Sequence, residues 1–491
     1  MGVGMEVSAM EISGTDQSRV GRERRGAAER RERPPAALSE HGLDGRGSGV
    51  KGSTGRPDPV ALLEEQARNR VPELVPVRHG RMAATPFSFY RGAAAVMASD
   101  LSRAPATGLR VQLCGDAHLS NFGIFATPER KLAFDVNDFD ETHPGPFEWD
   151  VKRLAASLAI AAQACGFGDK KRRKITRACA AEYRETMARQ ARLGTLAACY
   201  AHIEAAKDLK ALRSELDSAI TKRTRAALRK AEGRNNIQAL AKLTTMVDGQ
   251  RRIVSDPPLL VPLEELYGGA DLAAPYRLLG GWLDTYARTL QSDRRELLGQ
   301  FRLAQFARKV VGVGSVGTRT WIALMLGSDA DDPLFLQVKE AVPSVLAGYV
   351  DGAGLSGGGG FASEGERVVH GQRLTQVASD IFLGWARGPG MDGVERDFYV
   401  RQLRDGKGSA MVETMSPELM RWYGRLCGRA LAYGHARSGD RIAIAAYLGS
   451  DAEFDHAMAD FAEGYARQNT RDHAAMTAAI AAGRIEARAG I

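Results

Sequence analysis

Two polar residues five positions apart, Asp116 and Asn121, are the first residues in this sequence that could do chemistry. The segment around them, residues 114–121, reads CGDAHLSN and follows an alternating run that predicts a strand over 110–116. An aspartate in such a loop can accept the proton of a substrate hydroxyl, and an asparagine oxygen can hold Mg²⁺. The same short pattern could instead be an acidic turn, with His118 as a turn residue. The elements that follow therefore decide the interpretation.

A run of carboxylates follows this loop. A predicted β-hairpin over 121–136 leads into residues 134–141, which read FDVNDFDE. Carboxylates at this density repel one another unless a cation or solvent separates them. Zinc is not expected, because no His or Cys stands at ligand spacing. We expect a magnesium ion with these oxygen ligands: Asn121, Asp138 and, as alternatives, Asp135 and Asp140.

A glycine motif lies about 170 positions further along, where residues 310–317 read VVGVGSVG. The GxGxxG glycines, Gly312, Gly314 and Gly317, could open the helix of a dinucleotide-binding fold. A β-rich run over 320–326 follows instead, and then a strand that ends in Lys339. We therefore predict a glycine turn between two strands. The backbone N–H groups of this turn, together with Lys339 on the later strand, are expected to bind phosphate. The dinucleotide-binding interpretation ranks last.

These two constellations together are typical of protein kinases, which combine a catalytic-loop Asp and Asn with a glycine turn and a lysine on the third strand. The kinase lysine pairs with a glutamate on the next helix, which we predict over 364–385. Glu366 is the expected partner and cofactor-binding residue, with Glu364 as the alternative. A strand is expected over 397–403.

The composition is that of an ordinary globular protein, with 44% hydrophobic and 26% charged residues among 491. Residues 1–58 are poor in large apolar side chains and are predicted to be a disordered tail. The remaining predicted units are a helical domain with the catalytic loop over 59–300, a β-rich domain over 301–415, and helices over 416–491. These helices are expected to pack on the domain over 59–300.

Location and partners follow from the same inventory. A net charge of +8 is too small over this length to argue for nucleic-acid binding. No stretch approaches the roughly 20 apolar residues of a membrane span. We therefore expect no membrane partner. Five scattered cysteines indicate reduced thiols, which favours a cytoplasmic location.

Several blocks resemble a known family, the bacterial domain-of-unknown-function 2252 family, which is grouped with protein-kinase-like folds. The resemblance covers roughly residues 57–480 and rests on these blocks: FSFYRG (87–92), CGDAHLSNFG (114–123), NDFDE (137–141), VGVGSVGTR (311–319) and EGERVVHGQRL (364–374). The second block also resembles the aminoglycoside phosphotransferase pattern. That likeness implies Asp116 as catalytic base, Asn121 and Asp138 as metal ligands, and Asp150 as a structural aspartate. Cys114 stands where that pattern has histidine.

The order of the motifs implies a circular permutation, because the glycine turn and Lys339 follow the catalytic loop instead of preceding it. We thus expect an α+β, two-lobed, permuted protein-kinase-like fold, mostly helical with a small antiparallel sheet. The expected function is ATP- and Mg-dependent phosphoryl transfer to an unidentified, small acceptor. The alternatives are a kinase-like AMP transferase and a nucleotide-binding pseudokinase.

Overall fold

A computed structural model describes residues 55–204, 236–268, 272–350, 360–403 and 410–490, together with residues 222, 226 and 229. The predicted disordered tail lies outside these residues, apart from positions 55–58. Helices account for about 52% of the chain, and the sheets are small and antiparallel, which confirms the predicted α+β class. None of the described helices combines the length and the apolar character needed to span a bilayer.

Helices and strands are numbered in chain order. The helices are α1 (Pro59–Ala67), α2 (Val75–Ala83), α3 (Pro86–Gly92), α4 (Ala94–Leu101), α5 (Phe147–Ala164), α6 (Asp169–Ala191), α7 (Thr195–Tyr200), α8 (Asn236–Leu243), α9 (Leu263–Leu266), α10 (Ala273–Arg288), α11 (Ser292–Leu298), α12 (Ala347–Val350), α13 (Glu364–Thr375), α14 (Pro417–Ser438), α15 (Arg441–Leu448) and α16 (Glu453–Ala481). The strands are β1 (Arg110–Leu113), β2 (Phe122–Ala126), β3 (Leu132–Val136), β4 (His143–Pro146), β5 (Ile203–Glu204), β6 (Thr244–Val247), β7 (Gln250–Ile253), β8 (Leu260–Pro262), β9 (Arg302–Lys309), β10 (Thr320–Leu326), β11 (Pro333–Ala341), β12 (Gly384–Pro389) and β13 (Glu395–Gln402).

Six strands form one antiparallel sheet in the order β12-β13-β11-β10-β9-β8. The glycine turn joins β9 to β10, as the sequence predicts. Lys339 of β11 lies opposite Thr320 on one side and opposite Tyr399 of β13 on the other. The dinucleotide-binding interpretation is wrong, because it needs a helix directly after the glycines and a parallel strand.

Helices cover both faces of this sheet. Trp282 of α10 packs in an apolar cluster with Phe398 on one face, and Leu240 of α8 packs with Ile322 on the other. Because side chains alternate along a strand, Ile322 shares its face with Thr320 and thus with Lys339. Strand β8 and helices α9 to α11 belong to this sheet unit, which therefore begins before the predicted boundary at 301.

The long helices form a second layer, in which α14 and α16 pack against α5 and α6. Helix α14 begins where Ser416 caps it by accepting the N–H of Leu419. Its close approach to α6 requires a glycine, since a Cβ at Gly428 would lie 2.5 Å from the carbonyl oxygen of Cys179.

The predicted helix over 364–385 is too long. Helix α13 ends at Thr375, and Trp385 lies in β12, opposite Tyr399 of β13. The N–H of Val377 donates to the buried carboxylate of Asp135 over 3.1 Å, which draws the chain away from the helix axis. A contact with a residue more than 240 positions distant thus ends the helix.

The packing of α14 on α6 gives a stability prediction. We expect Gly428→Ala to lower the free energy of unfolding by about 1–3 kcal/mol, because the methyl group overlaps backbone. Gly280→Ala in α10 is the matched control, because a Cβ there meets nothing within 4 Å. This control should be more stable by up to about 1 kcal/mol, through helix propensity. Urea denaturation measures both, and equal effects would contradict the packing argument.

Candidate functional site

The loop after β1 is held in place by Asp150, near the start of α5. This buried carboxylate accepts the N–H groups of Cys114 at 2.8 Å and Gly115 at 3.1 Å. His435 of α14 lies 3.3 Å from the same carboxylate and is itself hydrogen-bonded to Tyr183. The backbone just before Asp116 is therefore fixed by a side chain.

Gly115 is required in this loop for two reasons. Its φ of +85° lies in the left-handed region, and a Cβ would stand 1.9 Å from the carbonyl oxygen of Glu141. This close approach brings the loop against the end of the acidic run.

Asp116 is anchored by an arginine. Nε and NH2 of Arg153 lie 2.9 and 2.8 Å from its Oδ1. Burial raises the pKa of Asp116, and the charge of Arg153 opposes this. The side-chain amide of Asn121 donates to the Asp116 carbonyl over 2.8 Å. His118 accepts the N–H of Ser120, and burial holds its pKa well below the usual value, as befits a neutral turn residue.

Asp140 and Lys339 join the acidic run to the sheet. The Lys339 ammonium lies 2.5 Å from Asp140 Oδ2, and the Tyr399 hydroxyl donates to Asp140 Oδ1 over 2.6 Å. Burial alone would raise the pKa of Asp140, but the charge and hydrogen bond of Lys339 outweigh it and lower the pKa to about 2. Asp140 is therefore a carboxylate near neutral pH.

Asp138 lies beside this pair with an unsatisfied oxygen. Its Oδ1 is buried, has no hydrogen-bond partner, and lies 3.8 Å from the Lys339 ammonium. Burial, and then the negative charge of Asp140, raise the pKa of Asp138. A cation at this oxygen would satisfy it.

Asp135 is not part of the same group. Its carboxylate accepts the N–H groups of Val136 and Val377 and lies 3.9 Å from Arg437. The expectation of Asp135 as an alternative metal ligand is therefore not supported, because these contacts hold it away from Asp138 and Asp140.

Glu366 does not pair with Lys339. Its carboxylate accepts the N–H of Ala362 over 2.8 Å, and Ser363 Oγ accepts its N–H over 3.1 Å, which together cap α13. The next residue, Arg367, is 1% exposed and donates to the carbonyls of Asp140 and Val342. Helix α13 therefore positions the acidic run through hydrogen bonds from the Arg367 side chain to backbone carbonyl groups.

The glycine turn packs against Arg70, which follows α1, and against the end of α3. Gly312 and Gly317 have φ of +67° and +90°, and a Cβ at Gly317 would lie 3.0 Å from Arg70. A Cβ at Gly314 would lie 3.1 Å from the carbonyl oxygen of Arg91. The glycines thus permit close backbone packing as well as the turn.

The Asp116 loop, the acidic run, the glycine turn and the end of β11 line one cavity of about 230 Å³. The predicted residues that line it are Asp116, Asn121, Asp138, Asp140 and Gly314. Lys339 does not line the cavity itself, but it contacts Asp140, which does. Four other predicted residues do not line it: Gly312, Gly317, Asp135 and Glu366.

A match to a family model covers residues 70–479, more than half of the chain, and its description is uncharacterized protein conserved in bacteria (DUF2252). The chain belongs to the DUF2252 family. A search of curated proteins and a search of solved structures give no match.

Sequence reasoning missed four side chains of this DUF2252 protein: Arg70, Arg91, Glu141 and Arg367. The first three line the cavity, and burial raises the pKa of Glu141 to about 7. Arg91 and Arg367 lie in the FSFYRG and EGERVVHGQRL blocks, which were the available signal.

Metal binding in the DUF2252 protein would need ligands beyond carboxylates. The described ranges contain no group of three or more His, Cys, Asp or Glu residues that could hold a metal ion. Mg²⁺ commonly takes one or two carboxylates and completes its shell with phosphate oxygens and water. Asp138, Asp140 and Asn121 therefore fit Mg²⁺ bound to a phosphate ligand, and not a dedicated protein cage.

The ion pair of Lys339 gives a testable prediction. We expect Lys339→Met to lower the free energy of unfolding by about 1.5–3 kcal/mol, because it removes a charged hydrogen bond from a half-buried carboxylate. The double variant Lys339→Met/Asp140→Asn should recover part of this loss. Urea denaturation of the wild type, both single variants and the double variant forms a double-mutant cycle. Additive effects would mean that the two side chains are not energetically coupled.

Proposed function

We propose that this protein is an ATP- and Mg-dependent phosphotransferase with a permuted protein-kinase-like fold. The observation that carries the proposal is the shared cavity. A loop with Asp116 and Asn121, an acidic pair and a glycine turn line it, and the Lys339–Asp140 bond joins residues 199 positions apart. These are the parts that kinase-type phosphoryl transfer uses.

The order of the elements supports the kinase comparison. After the short first strand β8 of the sheet, the glycine turn lies between the next two strands, β9 and β10, Lys339 lies on β11, and helices α12 and α13 and two more strands follow. Protein kinases have the same succession of glycine loop, lysine strand and helix.

The proposed permutation is supported by the end of α14. Ser438 Oγ accepts the N–H of Gln112 in β1 over 3.1 Å. A Cβ at Gly439 would lie 2.8 Å from the carbonyl oxygen of Arg110. The helix that follows the sheet in sequence thus ends beside the strand that leads into the Asp116 loop. Joining these two points would place the glycine turn before the catalytic loop, which is the usual kinase order.

Each residue has a defined part in the proposed reaction. Asp138, Asp140 and Asn121 would hold Mg²⁺, which when bound offsets negative charge on the phosphates. Lys339 and the N–H groups near Gly314 would bind phosphate oxygens. Asp116, held by Arg153, would accept a hydrogen bond from the acceptor hydroxyl and orient its oxygen toward the transferred phosphorus. Catalysis would come from positioning and charge, as in other phosphoryl transfers.

AMP transfer is the second candidate, and one observation favours it. The Lys339 face of the sheet continues to Ile322 and Phe335, where α8 covers it. The cavity instead extends toward Arg70 and Arg91. A nucleotide that enters from this side could lie reversed, with its α-phosphate toward Asp116.

Nucleotide binding is tested by thermal shift with ATP and MgCl₂. We expect the wild type to gain melting temperature, because a ligand that binds only the folded state stabilises it. Asp138→Asn should weaken ATP binding at least about tenfold, through loss of one charged ligand. Its melting temperature without ligand should change little, because Asp138 Oδ1 has no hydrogen bond to lose and Lys339 keeps Asp140 as its closer partner.

Glu366→Gln is the matched control for this experiment. Its side chain can still accept the N–H of Ala362, so ATP should stabilise this variant as much as the wild type. Equal shifts for the wild type and Asp138→Asn would exclude Asp138 as a metal ligand. No shift for the wild type would overturn the proposal.

Product analysis separates the possible reactions. After incubation with ATP, Mg²⁺ and a cell metabolite extract, we expect ADP and a product heavier by one phosphoryl group in mass spectra. An adenylyl adduct with pyrophosphate would support AMP transfer instead. ATP binding without either product would support the pseudokinase alternative. Asp116→Asn should bind ATP but lose the product.

A further inference from the structure

Three arginines near the cavity lack the partners that buried arginines usually have. Arg70 follows α1, Arg78 lies on α2 and Arg91 lies at the end of α3. The Nε atoms of all three are buried without a hydrogen-bond partner, and so is NH1 of Arg78. No carboxylate within the described ranges forms an ion pair with any of them.

Two other arginines within the described ranges have carboxylate partners. Arg153 binds Asp116, and Arg56 binds both Asp100 and Asp472. A buried cation without a partner lowers stability, so such groups need another explanation. Burial lowers the pKa of Arg91 and lowers that of Arg70 to about 10, and the charges of nearby carboxylates oppose this only in part.

The negative charges of Glu141 and Glu340 act on Arg70, and that of Asp116 acts on Arg91, but none of these carboxylates forms an ion pair with either arginine, and most have their own cations. Asp116 binds Arg153, Asp140 binds Lys339, and Glu340 binds Arg319 and Arg396. Arg70 and Arg91 line the same cavity as these pairs. They therefore add positive charge to one of its walls.

Arg78 supports this wall from behind. It is fully buried and donates to Gln66 and to the carbonyl of Gly92, both of which line the cavity. The Arg70 NH1 group donates to the carbonyl of Val316 in the glycine turn over 2.5 Å. The wall is thus attached to α1–α3 and to the glycine turn.

We propose that Arg70 and Arg91 form an oxyanion-binding subsite that takes a phosphate-type group of the acceptor substrate. The assignment to an acceptor rests on the proposed phosphotransferase activity, whereas oxyanion binding does not. Guanidinium groups bind phosphate oxygens through paired N–H donors, which suits two arginines on one wall. The subsite adjoins Asp116, which would orient the acceptor hydroxyl, while Lys339 and the metal ligands serve the nucleotide.

The subsite is tested by calorimetric titration with inorganic phosphate, without Mg²⁺. We expect the wild type to bind phosphate and Arg91→Met to bind it at least about tenfold more weakly, through loss of charged hydrogen bonds. Arg68→Met is the control, since this nearby side chain is 74% exposed. Arg68→Met should bind phosphate like the wild type.

Two further measurements distinguish a loss of phosphate binding from a loss of folding, and an acceptor subsite from a nucleotide subsite. Without ligand, Arg91→Met should melt no lower than the wild type, because Arg91 has no ion-pair partner among the described residues to lose. A lower melting temperature would instead indicate that Arg91 has a structural role. The affinity of Arg91→Met for ATP with Mg²⁺ should stay within about twofold of the wild type, a change well under 1 kcal/mol. Arg91→Lys keeps the charge without the paired donors and should bind phosphate at an intermediate strength.

Several results would overturn the inference. Absence of phosphate binding by the wild type at millimolar concentration, or equal binding by Arg91→Met, would exclude the subsite. Parallel losses of phosphate and ATP affinity in Arg91→Met would assign the arginines to the nucleotide and reject the acceptor role. Arg91-dependent phosphate binding by a protein that fails to bind ATP would keep the subsite and reject the proposed function.

Discussion

The contact between Lys339 and Asp140 is the constraint on which the rest of the site depends. Lys339 is 2% exposed, and its ammonium lies within ion-pair distance of both Asp138 and Asp140. Separating the sheet from the acidic run would leave the buried charge of Lys339 and two half-buried carboxylates without their partners. In some proteins such ion pairs contribute more to a defined arrangement than to stability. This pair fixes how the two distant halves of the chain meet.

Two other side chains extend this constraint to the backbone. Arg367 donates to carbonyls of the acidic run and of the segment after β11, while Asp150 accepts N–H groups of the Asp116 loop. Each residue holds main chain from a different part of the sequence. The side chains around the cavity are therefore placed by rigid neighbours, which is what positioning chemistry needs.

The parts of this site that sequence could predict are those set by local pattern. The hairpin over β2 and β3, the glycine turn, and the strand that ends near Lys339 all follow from periodicity and turn residues. The errors concern tertiary partners. Sequence spacing predicted that Lys339 pairs with a glutamate on α13, whereas its partner in the structure is Asp140 of the acidic run. Spacing also left Asp135 as an alternative to Asp138, although the carboxylate of Asp135 accepts the N–H of the distant Val377 instead. The unpaired arginines could not be predicted, because only the fold reveals which charges lack partners.

The unsatisfied groups around the cavity support one kind of ligand. On one side Asp138 has a buried oxygen without a donor, and on the other Arg70 and Arg91 have buried N–H groups without acceptors. These groups cannot satisfy one another, because Asp138 forms no ion pair with either arginine. A simple anion would satisfy only the arginines, and a metal ion only the aspartate. Two phosphate ligands meet both requirements: the proposed magnesium-bound nucleotide at Asp138 and the proposed phosphate group of the acceptor at Arg70 and Arg91.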